Sequence, residues 1–208
     1  MLTALYNISA RIIRRILEIP SRGFPTGQTY REPFDESLGV KTSGVVWLTN
    51  VWAKNSSHGV RYEPCSAAKC KWAIESAGIN PQEFAFIDIG CGKGRPMIIA
   101  SRHNFAELTG VDYSPKLCKI ATTNLQKLGV NARIICQDAT KFQFPERDVF
   151  VFFYHPFDSV VLDKVLQNLR SALRVVVAYE GKGRADVAKH DWLKQFASFE
   201  DIIVYRNF

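Results

Sequence analysis

The chain has 208 residues, of which 27 are Lys or Arg and 20 are Asp or Glu, so its formal net charge is +7. This length fits one domain, and a composition of 47% hydrophobic and 23% charged residues excludes disordered and fibrous proteins. We expect neither a membrane span nor a secretory signal, because no apolar run approaches ~18–20 residues and arginines interrupt the first one. The five cysteines are scattered without a C-x-x-C pair, which argues against a disulfide framework or a metal site and favours a cytoplasmic protein.

The first 80 residues are predicted to form an N-terminal extension that covers the sheet of the domain behind it. Helical spacing of apolar residues over 2–19 predicts an amphipathic helix, which Pro20 ends. Residues 20–64 are rich in turn formers and predict irregular structure, and residues 65–77 predict a helix ended by Gly78. Residues 1–72 hold ten Lys or Arg against five Asp or Glu. The helix over 2–19 is therefore predicted to dock on its own domain, on an anionic membrane or on a partner.

From residue 81 onward, short apolar runs alternate with helical patterns. Strands are predicted over 84–89, 108–111, 132–136, 149–154, 173–179 and 200–205, and helices over 95–103, 114–128, 158–171 and 185–197. Such alternation is typical of parallel strands joined by right-handed crossovers, and continuously apolar strands are typical of a sheet covered on both faces. The predicted fold is α/β, a doubly wound, mostly parallel sheet over residues 81–208.

A glycine-rich turn follows the first predicted strand, with the sequence Asp-Ile-Gly-Cys-Gly-Lys-Gly over residues 88–94. Ligands of doubly wound sheets bind at the carboxyl ends of the strands, and glycines let a ligand approach the main chain there. A dinucleotide fingerprint, G-x-G-x-x-G, would need a glycine at position 95, where the chain has Arg95. This departure weighs against a nucleotide-dependent oxidoreductase, which remains the less favoured alternative.

The D-x-G-x-G-x-G turn resembles motif I of the class I S-adenosylmethionine-dependent methyltransferases, which have a Rossmann-like fold, and among them small uncharacterised bacterial members. The resemblance continues in order at the ends of the next two strands. It implies S-adenosylmethionine as cofactor, with the methionine part at the first strand, the ribose at the second and the adenine at the third. The cofactor-binding residues it implies are Asp88, Gly90, Cys91, Gly92, Gly94, Asp112, Tyr113, Asp138 and Ala139. For Asp112 and Asp138 the alternative is a helix or turn cap.

The acceptor side is predicted at the end of the fourth strand, Tyr154-His155-Pro156-Phe157, where the family keeps its substrate-facing motif. Amino-group methyltransferases carry Asp or Asn before the proline, whereas this chain has His155. A neutral imidazole is able to act as a general base, which makes His155 the candidate catalytic residue. Its alternative is a cap for the following helix.

An upstream aromatic-x-Pro element at residues 62–64 is similar to one in small protein-lysine methyltransferases of this fold, where it lies over the cofactor. Tyr62 and Glu63 are therefore predicted to face the substrate, together with Tyr154, Pro156 and Phe157. Together with residues 35–44, this element looks like part of a group of uncharacterised bacterial methyltransferases.

The family usually closes its sheet with two strands after the fifth, but only residues 200–205 clearly predict one. Either a strand is missing or its partner comes from elsewhere, and an exposed edge would favour a homodimer or cover by the N-terminal segment. The predicted function is an S-adenosylmethionine-dependent methyltransferase. Its acceptor is predicted to be a protein side chain or small molecule, since nothing indicates a nucleic-acid module. The alternative from another class is a non-catalytic S-adenosylmethionine-binding partner protein.

Overall fold

The computed structural model describes residues 32–46, 62–182 and 184–208. The predicted helix over residues 2–19, with its proposed membrane contact, lies outside the described residues. None of the described helices has the length and apolar character that crossing a bilayer requires.

The described helices and strands follow the predicted alternation. The helices are α1 (Pro33–Leu38), α2 (Ala67–Glu75), α3 (Arg95–Ala100), α4 (Pro115–Lys127), α5 (Ser159–Leu169) and α6 (Arg184–Val187). The strands are β1 (Ala85–Ile89), β2 (Glu107–Asp112), β3 (Arg133–Cys136), β4 (Val149–Tyr154), β5 (Val175–Glu180), β6 (Lys194–Phe199) and β7 (Ile202–Arg206). Short 3-10 turns cover Pro81–Glu83 and Ala139–Lys141.

The described strands form one seven-stranded sheet in the order β3-β2-β1-β4-β5-β7-β6. The first five are parallel, whereas β7 runs antiparallel to both β5 and β6. The chain reverses its direction of winding at β1, which lies between β2 and β4, and ligands of such sheets bind at that point. The prediction of a doubly wound, mostly parallel α/β fold is confirmed.

Each face of the sheet packs into its own apolar layer, because successive side chains of a strand point to opposite faces. Phe86, Phe150 and Phe152 belong to the layer under α2 and α3, and the rings of Phe86 and Phe150 stack with centroids 5.4 Å apart. Ile87 and Val151 belong to the opposite layer, under α5. All five side chains are at most 1% exposed, so the central strands are fixed from both sides.

The prediction of a helix over residues 185–197 is wrong, since the helix ends at Val187 and residues 194–199 form β6. This strand lies at the sheet edge and all but one of its residues are exposed, so it lacks the alternation of a half-buried strand. The sequence clearly predicted only one strand after the fifth, and this also needs correction. The partner of β7 is β6, and the sheet has the full seven strands.

Within the described part of residues 20–64, the prediction of irregular structure also needs correction, because α1 forms there. Gly39 ends it in the left-handed conformation, with φ +65°. The helix predicted over 65–77 is confirmed as α2, which Ser66 caps by accepting a hydrogen bond from Lys69 N.

Candidate functional site

The glycine turn between β1 and α3 needs its glycines for two physical reasons. Gly90, Gly92 and Gly94 have φ of +81°, +53° and +85°, a region that other residues rarely adopt. A Cβ on Gly90 would lie 2.5 Å from Cβ of Pro156, and one on Gly92 would lie 2.2 Å from the Tyr62 ring. The turn is therefore approached closely from both sides, and its backbone conformation is restricted to glycine.

Asp112, at the end of β2, holds the glycine turn in place. Its Oδ2 accepts a hydrogen bond from Gly92 N at 2.9 Å, and its Oδ1 accepts one from Ser114 N at 2.8 Å. Burial raises the pKa of this carboxyl group, while the two backbone donors oppose that effect. Each carboxylate oxygen keeps a further lone pair, so the predicted contact with two ribose hydroxyls is chemically available.

Asp88, the acidic residue before the turn, is 1% exposed, and its Oδ2 has no hydrogen-bond partner among the described residues. Burial, and secondarily the charge of Asp112, raises its pKa. A buried carboxylate oxygen without a donor is costly, and a cationic ligand would relieve that cost. Next to it, Cys91 is 2% exposed, and its backbone N donates to Val111 O. Burial raises the pKa of the Cys91 thiol, which makes it an unreactive packing residue.

The remaining predicted cofactor residues end β2 and β3. The Tyr113 hydroxyl is buried and has no hydrogen-bond partner among the described residues. Asp138 accepts hydrogen bonds from Thr140 N at 2.9 Å and Thr140 Oγ1 at 2.8 Å, so it caps the 3-10 turn, as its alternative interpretation predicted. Ala139 lies in the first position of that turn and is 6% exposed.

The acceptor motif after β4 begins with a strained residue. His155 has φ +35°, a conformation that costs non-glycine residues about 1–3 kcal/mol and that clusters at functional sites. Its N donates to Glu180 O at 3.0 Å, and its Nδ1 lies 3.2 Å from the Tyr179 hydroxyl. The alternative of His155 as the helix cap is wrong, because Asp158 caps α5 through a hydrogen bond from Val161 N.

Tyr154 and Phe157, on either side of His155, pack against opposite apolar layers of the sheet. Tyr154 is partly buried and packs against the layer under α2 and α3. Phe157 is 8% exposed and lies in the opposite apolar layer, so most of its surface is used for core packing. Pro156 lies against Gly90, which brings the acceptor motif into contact with the glycine turn.

Tyr62, which the sequence predicts to face the substrate, lies directly over the glycine turn. Its ring contacts Gly92, Lys93 Nζ lies 4.8 Å from the ring centroid, and its hydroxyl donates to Thr42 O at 2.5 Å. Burial raises the pKa of Tyr62. Glu63 follows it, and its charge contributes to raising the pKa of Tyr154.

Arg95, which breaks the dinucleotide fingerprint, anchors the segment before the domain. Its guanidinium is buried; Nε donates to Thr42 Oγ1 at 2.8 Å and Nη1 donates to Cys65 O at 3.1 Å. Nη2 lies 2.6 Å from Glu32 Oε2. Nearby, Asp35 accepts four hydrogen bonds, from the backbone and hydroxyl groups of residues 42 and 43, which outweigh burial and lower its pKa. Arg95 thus also positions Tyr62, because Thr42 contacts both side chains.

The sequence interpretation missed Glu180, the last residue of β5. It is 3% exposed, its Oε1 lies 3.7 Å from Lys69 Nζ, and burial raises its pKa to about 7. The signal was present as an acidic residue that ends a continuously apolar strand next to the acceptor motif. Within the described ranges, no group of three or more His, Cys, Asp or Glu side chains is placed to hold a metal ion.

The described geometry brings the glycine turn, Asp88, Asp112 and the acceptor motif to one edge of the sheet, with Tyr62 above them. The site contains the glycine turn, the buried carboxyl groups of Asp88 and Asp112, and the Tyr113 hydroxyl, which has no hydrogen-bond partner among the described residues. This set fits a ligand with a cationic end and a ribose, as S-adenosylmethionine has. The sulfonium methyl of that ligand would supply the electrophile, Asp88 would hold its methionine end, and Asp112 would hold its ribose.

Comparisons with known proteins find similarity to methyltransferases. Residues 86–176 match the family model described as a methyltransferase domain. The chain is 35% identical over 51 residues to EEF1A lysine methyltransferase 2 of Mus musculus, covering 24% of this chain and 21% of that protein. It is 27% identical over 106 residues to 27-O-demethylrifamycin SV methyltransferase of Amycolatopsis mediterranei (strain S699), covering 49% of this chain and 39% of that one.

A solved structure of similar fold is the RNA methyltransferase from Salinibacter ruber in complex with S-adenosyl-L-homocysteine. It has a TM-score of 0.55 and 21% identity, and the match covers 69% of this chain and 91% of that one. The chain spans only about a fifth and two fifths of the lengths of the two curated relatives. The described sheet has the fold of this methyltransferase structure, and residues 86–176 match a methyltransferase domain.

Proposed function

We propose that this chain transfers a methyl group from S-adenosylmethionine to a nucleophile on a protein side chain or small molecule. The observation that carries this proposal is the junction at Gly92. There one backbone N–H donates to Asp112 Oδ2, while the Tyr62 ring closes the other side. At Gly92, therefore, the glycine turn contacts both Asp112, the carboxylate proposed to bind the ribose, and Tyr62.

Each residue that the sequence predicted for the site has a proposed role in this arrangement. Asp88 receives the cationic methionine end, and Asp112 with Tyr113 receives the ribose. Asp138 and Ala139 border the adenine through the 3-10 turn that Asp138 caps. Gly90, Cys91, Gly92 and Gly94 form the floor, and the proposed acceptor side consists of Tyr62, Glu63, Tyr154, Pro156 and Phe157 with His155.

The relatives act on different acceptors by name: a protein lysine, a rifamycin and an RNA. The fold therefore does not choose the acceptor. We favour a protein or small molecule because the sequence shows no added nucleic-acid module and no basic stripe interleaved with aromatic residues. A cytoplasmic location and a homodimer through the β6 edge belong to the same proposal.

Replacing Asp112 by alanine is expected to weaken S-adenosylhomocysteine binding at least a hundredfold. The substitution removes the acceptor for Gly92 N–H and the proposed ribose contacts, each a charge-assisted hydrogen bond. Calorimetric titration of the full chain with S-adenosylhomocysteine measures this affinity. The matched control is Asp163→Ala, an exposed carboxylate on α5, which should bind like the wild type. Unchanged affinity in Asp112→Ala would contradict the proposed ribose role, and wild-type protein without affinity for this ligand would overturn the function.

Replacing His155 by glutamine tests the proposed catalytic role of the imidazole. Labelled methyl transfer from S-adenosylmethionine into fractionated protein, RNA and metabolite pools identifies the accepting pool. A general base contributes about 10²–10⁴-fold, so His155→Gln should lose at least a hundredfold of that transfer with cofactor affinity unchanged. Full activity of the variant would assign His155 a structural role. Binding by the wild type without transfer into any pool would favour the non-catalytic alternative.

A further inference from the structure

Glu180 is a buried acidic residue that the proposed cofactor contacts do not use. It ends β5, whose six residues are all buried, and its Oε2 has no hydrogen-bond partner among the described residues. A buried carboxylate oxygen without a hydrogen-bond donor costs free energy, even where the other oxygen has a cation nearby, as Glu180 Oε1 has in Lys69. The position of Glu180 therefore requires a reason beyond packing.

Ion pairing with Lys69 does not supply that reason. Lys69 Nζ lies 3.7 Å from Glu180 Oε1, beyond hydrogen-bond distance. The same ammonium is held more closely by two carboxylates of the β6–β7 turn, Asp201 in direct contact and Glu200 at 3.1 Å. Lys69 is thus held mainly by Glu200 and Asp201, and its contact with Glu180 is the longer one.

The backbone instead places Glu180 beside the acceptor motif. Glu180 pairs in register with Tyr154, the last residue of β4, and its carbonyl accepts the hydrogen bond from His155 N. Side chains two residues apart on a strand share a face, so Glu180 lies on the face of Ala178, in the layer that Tyr154 contacts. Asp88 of β1 points to this same layer, because Phe86, two residues earlier, belongs to it.

We propose that Glu180 faces the methyl acceptor and takes its proton during methyl transfer. This inference rests on the proposed function and makes Glu180, in place of His155, the group that takes the acceptor proton, so near-full methyl transfer by His155→Gln would support it. The nitrogen or oxygen of an N–H or O–H acceptor uses its lone pair to form a bond to the methyl carbon. The carbon–sulfur bond breaks at the same time, and the electron pair of that broken bond stays on sulfur. The acceptor proton passes to Glu180 Oε2. The acceptor class is accordingly a nucleophile with a proton to lose, an amine or a hydroxyl.

The charge state of Glu180 depends on a small set of neighbours. Burial raises its pKa to about 7, the charge of Lys69 lowers it, Asp201 raises it, and the Ser66 backbone N–H lowers it. The other titratable groups around this end of the strands are Tyr154, Cys70, Glu63, Glu200 and His155. A base that titrates near neutral pH suits proton transfer under ordinary conditions.

Two probes test the proposal without a known acceptor: S-adenosylhomocysteine, and sinefungin, its analogue with an amino-bearing carbon in place of sulfur. The ammonium of sinefungin lies where the transferred methyl and the acceptor meet. Calorimetry on the full chain should show that Glu180→Gln weakens sinefungin binding at least tenfold more than S-adenosylhomocysteine binding. The matched control Glu200→Gln also removes a carboxylate near Lys69, but an exposed one, and should change both affinities less than twofold. Equal losses for both ligands in Glu180→Gln would overturn the proposal.

The pH dependence gives a second measurement that needs no change at Glu180. The wild-type preference for sinefungin over S-adenosylhomocysteine should grow as pH rises from 6 to 8, because Glu180 loses its proton in that window. Lys69→Met removes a cation that favours the carboxylate, so the rise should move to higher pH. A preference that is flat in both proteins would overturn the proposal, even if Glu180→Gln does not fold. Absence of S-adenosylhomocysteine binding by the wild type would instead overturn the proposed function.

Discussion

Replacing Gly92 by alanine is expected to abolish S-adenosylhomocysteine binding and to lower the melting temperature. An L-residue at φ +53° costs about 1–2 kcal/mol. The added Cβ would also lie 2.2 Å from the Tyr62 ring, which the hydroxyl contact to Thr42 O holds in place. The ring or the turn must move, and either movement disturbs the hydrogen bond from Gly92 N to Asp112. Calorimetric titration and thermal unfolding measure the two effects.

Two further variants separate the strain from the clash. Gly129 also has positive φ, +64°, but a Cβ there meets nothing within 4 Å, so Gly129→Ala should lose about 1–2 kcal/mol of stability and no affinity. In the double variant Gly92→Ala with Tyr62→Ala, the clash is absent, and the loss of stability should be smaller than the sum of the single losses. Additive losses would show that Tyr62 does not restrict position 92.

Replacing Arg95 by methionine is expected to destabilise the chain by about 3–5 kcal/mol, because it leaves buried polar partners without their cation. The guanidinium is 4% exposed and joins Thr42, Cys65 O and Glu32 to the start of α3. Since Thr42 O in turn holds the Tyr62 hydroxyl, cofactor affinity should fall as well. Denaturant unfolding gives the stability, and titration with S-adenosylhomocysteine gives the affinity.

The control for Arg95 is a second arginine with short ionic contacts. Arg174 Nη2 lies 2.6 Å from Glu83 and from Asp148, but its side chain is 44% exposed. Arg174→Met should therefore cost no more than about 1 kcal/mol. Arg95→Lys should resemble Arg95→Met, because an ammonium lacks the planar fork that reaches three partners. A loss below 1 kcal/mol in Arg95→Met would show that the segment before the domain is held by other contacts.

The parts of the fold that were predictable are those whose signal is local. The run ending in Ile89 is apolar on both faces, and Ser114 with Pro115 marks the start of α4; both predictions are confirmed. The glycine turn was predictable for the same reason, since its backbone conformation restricts the residue type within five positions. Local signals of this kind depend little on distant parts of the chain.

The parts that failed depend on distant contacts. Strand β6 has only one neighbouring strand and exposes both faces. Its sequence is therefore not required to alternate between apolar and polar residues. Tyr62 contacts Gly92, and Arg95 anchors residues 32–46. These contacts join segments about 30 to 60 positions apart, and the periodicity of apolar residues does not reveal contacts over such distances. The burial of Glu180 follows from α2 lying over β5, a packing relation absent from the strand's own pattern.

The order of the last strands has a consequence for how the chain folds during synthesis. Strand β6 precedes β7 in sequence, yet β7 lies between it and β5. The outer strand therefore has no partner until residue 206 has been made, and the hydrogen-bonding edge of β5 stays open until then. Translation at about 5–20 residues per second exposes that apolar edge for a second or more, a period in which such edges aggregate. The edge of β5 is therefore the last part of the sheet to be covered, when the hairpin of β6 and β7 forms.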